Sequence, residues 1–323
     1  MRKKLIYIVC ILSFFFISQS IFPSYPRKLK KINLSDKTGL VIDRKKIKIE
    51  NVDNPINLSI IEDNDAFLAV FRVNDKDTSN IGICKFDKEF NQISKHKIID
   101  VKSKNAEDPR IFKIKNEYYI IYNDKVLIEH NYRIMKIAKL TKDFDAEFIT
   151  SLDLYINTME KNWVPFEDNG NLYLAYGLVP HKIMHLKDTK KNSLDHLIFE
   201  DGKCYSRFFW EYGDPRGGTP ACKTKDGYLA FFHSSFGKNK KKKYYVMGAY
   251  LFEPNPPYKV VKVSKEPIIV YPKKTRVYFP TGFSIKKEDN IEKIYLSLGI
   301  NDTVSEVLVI DKDNLLKSMK EVY

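Results

Sequence analysis

Beyond residue 35 the chain alternates between short apolar or period-two runs and polar breaks rich in Asn, Asp, Gly and Lys. Phe67–Val73, Ile81–Phe86, Ile111–Ile114, Tyr118–Tyr122, Ile134–Leu140 and Leu172–Tyr176 read as strands in the first half. Tyr228–His233, Tyr244–Phe252, Lys259–Val263, Val277–Phe283, Ile294–Leu298 and Val307–Ile310 continue the pattern in the second. Each run is too short for an ordinary helix and is closed by turn-forming residues, which predicts an all-β chain. A helical stripe is predicted once, as a short C-terminal helix at Asp313–Glu321, with Asp313 as cap and Leu315, Leu316 and Met319 on one face. About twenty short strands need closing. Five four-stranded blades of about 50 residues each, a five-bladed β-propeller over residues 35–323, would close them radially; by periodicity alone a double sandwich also fits.

The first 22 residues follow another pattern. Arg2, Lys3 and Lys4 precede an apolar run from Leu5 to Ile17, followed by Ser18, Gln19 and Ser20. Basic, apolar and small residues in that order predict a signal peptide or a membrane anchor, and therefore export to the cell envelope or beyond. Cleavage after Ser20 and retention as an anchor with membrane association both fit this stretch. Arg27, Lys28, Lys30 and Lys31 make residues 23–34 a basic linker.

Composition changes this picture little. The 323 residues, 43% hydrophobic and 30% charged, are those of a folded chain, and 20 Tyr with 21 Phe favour strands. The net charge of +14 comes from Lys scattered along the chain and not from a basic helix, so no nucleic-acid partner is expected. Cys10, Cys84, Cys204 and Cys222 have neither CxxC spacing nor clustered His, so no metal site is expected. A Cys204–Cys222 disulfide and free thiols both stay open.

Five polar islands interrupt the strands. They are Glu107-Asp108-Pro109-Arg110, Glu160-Lys161-Asn162-Trp163, Gly213-Asp214-Pro215-Arg216-Gly217-Gly218-Thr219-Pro220, His233-Ser234-Ser235, and Phe279-Pro280-Thr281-Gly282 with Gly299-Ile300-Asn301-Asp302. In this order, from about residue 50 to 310, they resemble the motifs of the family 130 glycoside hydrolases and phosphorylases and the related mannosyltransferase/phosphorylases, five-bladed propellers acting on β-mannosides. The resemblance implies that Asp108 is the general acid. It further implies that Asn57 and Arg72 hold the sugar, with Asn54 as the competing Asn, that Asp302 binds sugar hydroxyls and that Lys161 holds phosphate. Arg110, Asn162, Thr219 and His233 fall within the matched motifs and are expected at the substrate site; Ser234 stands where the family has Gly.

The implied reaction is an inverting cleavage or transfer of β-mannosides, in which Asp108 donates a proton and water or phosphate attacks from the opposite face. No cofactor is expected, although inorganic phosphate would serve as co-substrate. A phosphate dianion needs converging cations, for which Arg133 and Arg216 are further candidates; hydrolysis needs a second carboxylate, for which Glu107, Glu160 and Glu211 are candidates. The alternatives are a non-catalytic glycan-binding propeller at the cell envelope and a purely structural propeller.

Overall fold

The structure is a computed structural model describing residues 39–127, 132–152, 160–186, 199–201, 206–236, 244–268 and 277–323. The predicted leader and basic linker, Cys204 and the Lys-rich tip between Phe236 and Tyr244 lie outside the described residues. Among the described residues, no helix is long and apolar enough to cross a membrane.

The apolar runs form strands that pair antiparallel into five sheets, the blades of a propeller. Blade 1 consists of Ile56–Asp63, Ala66–Asp75, Thr78–Phe86 and Lys97–Ile99. Blade 2 follows with Ala106–Ile114, Glu117–Leu127, Tyr132–Leu140 and Ala146–Ser151. Blade 3 contains Val164–Asp168, Asn171–Leu178, His181–Leu186 and Phe199–Asp201. Blade 4 contains Asp214–Gly217, Gly227–Phe236, Tyr244–Phe252 and Val260–Ser264, with Cys222–Thr224 pairing beside Gly227–Leu229. Blade 5 takes Tyr278–Glu288, Ile291–Ile300 and Val304–Asp311 from the end of the chain and Val41–Lys46 from near its beginning.

Tight two-residue turns join the first and second strands. Lys115-Asn116, Asn169-Gly170 and Asp289-Asn290 all have positive φ at both positions, the twist a two-residue hairpin requires. The middle strands are apolar on both faces because each blade is packed between two others. Leu68, Val70, Ile81 and Ile83 of blade 1 meet Ile111, Ile120 and Tyr122 of blade 2, and Ile121 and Met135 meet Trp163, Leu174 and Met184 of blade 3. Phe166 of blade 3 packs on Tyr228 and Phe252 of blade 4, and Phe67 of blade 1 on Tyr295 of blade 5. The core is thus a ring of inter-blade seams. Hydroxyls stitch the inner ends: Ser59 Oγ accepts from Ile111 N (3.2 Å), Ser297 Oγ from Ile60 N (3.3 Å), and Ser305 Oγ donates to Pro55 O (2.7 Å).

The C-terminal segment departs from expectation. The helix is Lys312–Ser318, and its cap is Asp311, not Asp313, because the Asp311 carboxylate accepts the Asn314 N–H at 2.8 Å from an extended backbone. Met319–Glu321 leaves the helix and pairs with Lys262–Ser264 on the outer edge of blade 4. The two polar islands expected as loops before strands are also strands: Glu107–Arg110 lies within Ala106–Ile114, and Asp214–Gly217 is the first strand of its blade. They read as loops because residues that line a polar site cannot be apolar.

Candidate active site

The first strands of all five blades enter from one rim, and antiparallel pairing returns the ends of the second strands to it. Arg72 is therefore opposite Ile56, Asn123 opposite Glu107, His233 opposite Arg216, and Ile300 opposite Tyr278. Residues distant in sequence share this end of the axis for that reason. The other end holds a cavity of about 280 Å³ lined in part by Glu62, Lys113, Glu167 and Lys223, and none of the expected site residues lines it.

Two β-bulges aim the central pair. The register slips between Ile56 and Ser59 and again between Glu107 and Arg110, and Asn57 (φ 51°) and Asp108 (φ 53°) occupy these slips in the left-handed region that Asn and Asp tolerate best. Both side chains are buried, and Asn57 Nδ2 donates to Asp108 Oδ1 at 2.7 Å. Asn123 Nδ2 donates to Glu107 O at 3.1 Å and to Asp108 Oδ2 at 3.4 Å, while Asn123 Oδ1 accepts from Arg133 Nη1 at 2.8 Å. Asn54, the competing residue, is exposed.

Around this pair lies a ring of cations. Glu107 binds Arg133 with both carboxylate oxygens, at 2.9 Å each, and Arg72 Nη2 at 3.1 Å. Arg72 Nε is held in turn by Asn74 Oδ1 (2.8 Å) and Ser79 Oγ (2.9 Å). Lys161, partly buried, is held below the usual lysine range by desolvation and then by the Arg133 charge, with Arg72 adding to it against the opposing pull of Asp108 and Glu107. Among the described residues, no carboxylate lies within ion-pair distance of its ammonium. Asp302 belongs to the same field: partial loss of hydration around its carboxyl raises it, as do the Asp108 and Glu107 charges, against the pull of Arg72 and Lys161.

The remaining expected residues lie lower in the axis. Arg110 is fully buried; its Nε donates to Gly218 O, its Nη2 to Asn162 Oδ1 at 3.1 Å, and its guanidinium lies 5.7 Å from the Phe279 ring centre. It therefore ties four blades together. Burial lowers it to about 10, so it keeps its charge at neutral pH. Gly218 has to be glycine, since an added Cβ would come within 2.6 Å of Phe231 O. Thr219 Oγ1 accepts the Phe231 N–H at 3.0 Å and is buried within blade 4. His233 is buried between Tyr245 and Phe279, with ring centres at 5.9 and 4.5 Å. Burial first, then the Arg110 and Arg216 charges, push it down to about 3, so it stays neutral. Arg216 is exposed beside it.

Ser234, which follows His233, is fully buried; it accepts Trp210 Nε1 and donates to Tyr212 O, both at 2.8 Å. Ser234 thereby ties Trp210 and Tyr212 to the second strand of blade 4. Of the three candidate bases, Glu107 is committed to two arginines, and Glu160 accepts from Trp163 Nε1 (3.1 Å) and Tyr176 OH (3.0 Å). Glu211 is exposed, beside Tyr212. Asn123 carries no sequence signal beyond being a polar residue at the end of an apolar strand. Cys84 and Cys222 are free thiols, and among the described residues no cluster of His, Cys, Asp and Glu is suited to a metal.

Residues 45–321 match the family model Glyco_hydro_130, described as β-1,4-mannooligosaccharide phosphorylase. The chain belongs to glycoside hydrolase family 130. It is thus an enzyme of a mannoside-processing family of phosphorylases and hydrolases. A 1,2-β-oligomannan phosphorylase from Thermoanaerobacter sp. (strain X514) is 27% identical over 223 residues, 66% of this chain and 70% of that protein. The β-1,2-mannobiose phosphorylase of Listeria innocua, solved with β-1,2-mannobiose, is similar at TM-score 0.59 and 17% identity, covering 86% of this chain and 99% of that one. A Leishmania mexicana mannose phosphorylase solved with a phosphate ion gives 0.56 and 14%, covering 88% and 92%. At these identities the solved structures share the family 130 fold.

Proposed function

We propose that this family 130 enzyme is an inverting β-mannoside phosphorylase with Asp108 as its general acid. The observation that carries the reading is the ring of Arg72, Arg133 and Lys161 around Asp108, in which the Lys161 ammonium lacks a carboxylate partner among the described residues. A phosphate dianion is costly to desolvate without charge-assisted partners; Lys161 is open to supply one, while Arg72 and Arg133, both paired with Glu107, add to the positive field. Glu107, bound by two arginines, is poorly placed to be the second carboxylate that inverting hydrolysis needs.

In the proposed reaction a phosphate oxygen bonds to the anomeric carbon from the face opposite the glycosidic bond. As that bond breaks, the proton of Asp108 passes to the leaving oxygen, directly or through a sugar hydroxyl, and α-mannose 1-phosphate results. Asp302 and Arg72, at the same rim, would hold the sugar. Arg110 and Thr219 support the site from below, and His233 forms a neutral wall. The names of the Thermoanaerobacter and Listeria relatives support β-1,2-mannosides as the first substrates to try, with β-1,4-mannosides second. Residues 1–22 support a further proposal, that the enzyme is exported or anchored at the envelope.

The test is phosphorolysis of both mannobioses by the wild type and Asp108→Asn. Wild type is expected to release mannose 1-phosphate only with phosphate present, and the variant to lose about 10²- to 10⁴-fold in turnover, the usual contribution of a general acid. Phosphate-independent release of mannose would make the enzyme a hydrolase. Absence of any turnover would favour a glycan-binding propeller.

A further inference from the structure

Asn57 has its amide oriented toward the acid and its carbonyl toward a neighbouring strand. Nδ2 donates to Asp108 Oδ1 at 2.7 Å, while Oδ1 is buried without a hydrogen-bond partner among the described residues. Such a group normally finds a donor or costs stability, so the amide faces as it does because of its bond to Asp108 and needs open space on its carbonyl side. Gly299, near the end of the second strand of blade 5, faces it. A Cβ built there would overlap Asn57 Oδ1 outright and stand 3.2 Å from Asn57 Cγ and 3.4 Å from Asn57 Cα. Gly299 pairs with Phe279 and Ser305, and both partners are tied into the same seam: Phe279 lies under Arg110, and Ser305 Oγ bridges Pro55 O and Leu58 N on either side of Asn57. The backbone of blade 5 therefore cannot yield to accommodate a larger residue.

We propose that Gly299 and Asn57 are positioning residues for the proton donor: the bare glycine surface seats the Asn57 amide, and the amide aims the Asp108 carboxyl across the blade 1 to blade 2 seam. This rests on the reading of Asp108 as general acid. It reassigns Asn57 from the sugar contact that the family resemblance implies to a group acting through Asp108. Proton transfer tolerates little misplacement, and a shift of about 1 Å can cost on the order of a hundredfold in rate. Sugar affinity has no such dependence on the direction of the acid.

The experiment is a mutant cycle in the full chain. Asn57→Gly removes the amide and keeps the left-handed backbone without strain, Gly299→Ala adds the obstructing methyl group, and the two are combined and also placed in Asp108→Asn. Turnover is measured by phosphorolysis, and mannoside affinity by calorimetry without phosphate. Asn57→Gly and Gly299→Ala are each expected to lower kcat roughly ten- to a hundredfold, with mannoside affinity changed less than about threefold. The double variant should match Asn57→Gly, because no amide remains for the methyl to displace. Neither change should cost anything further in Asp108→Asn.

A loss of affinity with kcat preserved would make Asn57 a sugar contact and overturn the proposal. Losses that multiply in the double variant would overturn the role of Gly299. If Gly299→Ala does not fold, Asn57→Gly alone and in Asp108→Asn still decides the matter. Wild-type turnover in Asp108→Asn would sink the acid assignment itself, whereas a slow Asp108→Asn beside a fast Asn57→Gly would refute only the positioning.

Discussion

His181 and His233 are buried imidazoles held neutral well below the ordinary histidine range, at about 4 and about 3, chiefly by desolvation. In the unfolded chain both titrate near 6.5, so between that value and the folded ones only the unfolded state takes up these protons. Their contribution to stability is complete above pH 6.5 and is lost as the pH falls, by up to roughly 1.4 kcal/mol per pH unit for each. The urea midpoint should therefore drop on acidification from pH 7 to 5, and His181→Asn should flatten that drop even though it lowers stability at pH 7. An unchanged slope would show that other groups dominate. Lys161 makes a prediction of a different kind. Lys161→Met should raise the KM for phosphate roughly ten- to a hundredfold, the value of a charge-assisted hydrogen bond, with little change for the mannoside. Because the ammonium is already destabilised, the wild-type KM for phosphate should begin to rise on the alkaline side before an ordinary lysine titrates. Asp108 and Lys161 stand out because unusual residue types come together in short islands, whereas Arg72, inside an apolar strand, is picked out only by the family resemblance. Asn123 does not stand out, since an asparagine at a strand end looks like any turn. The buried role of Arg110 was also hidden, because a motif carries no information about depth.

Among the elements, the paired strands of the blade interiors were legible, because burial on both faces leaves continuous apolar runs such as Phe67–Phe71. The Asn169-Gly170 turn was equally readable in type, as its residues suit two positive φ angles. First strands do not read as strands where they line the site, as in Glu107–Arg110 and Asp214–Gly217, and Met319–Glu321 fits a helical stripe because its pairing with Lys262–Ser264 lies outside any local pattern. The strand Val41–Lys46 was invisible for a related reason. It covers the outer edge of blade 5, where all six of its residues are partly or fully exposed, so its sequence carries charges instead of an apolar stripe. Its removal should leave Val304–Asp311 as an open edge. A chain beginning after Lys46 is expected to unfold roughly 5 °C or more below the parent, at about 2 °C per kcal/mol for a chain of this size or somewhat less, and to self-associate. An unchanged midpoint would mean that this strand is dispensable to the ring.

At the scale of the whole molecule, the all-β class follows from strand number and length, whereas the five blades are one of two closures that periodicity leaves open, favoured by the family resemblance, and ring closure by residues far apart in the chain has no local signal. The leader proposal is tested by the distribution of a fusion with and without residues 1–22; the full chain should be exported and the shortened one retained, and equal distribution would refute it. Closure has a further consequence for how the protein is made. Ser305 reaches back to Leu58 and Pro55 across 247 and 250 positions. Contacts of that span are slow to form, because the loop entropy is lost before the contact rewards it. During synthesis blades 1 to 4 can pair internally as they emerge, but Asn57 has no seat until the strand bearing Gly299 leaves the ribosome. A folding chain in which blades 1 to 4 have already paired would therefore still lack the Asn57–Asp108 arrangement until blade 5 closes the ring.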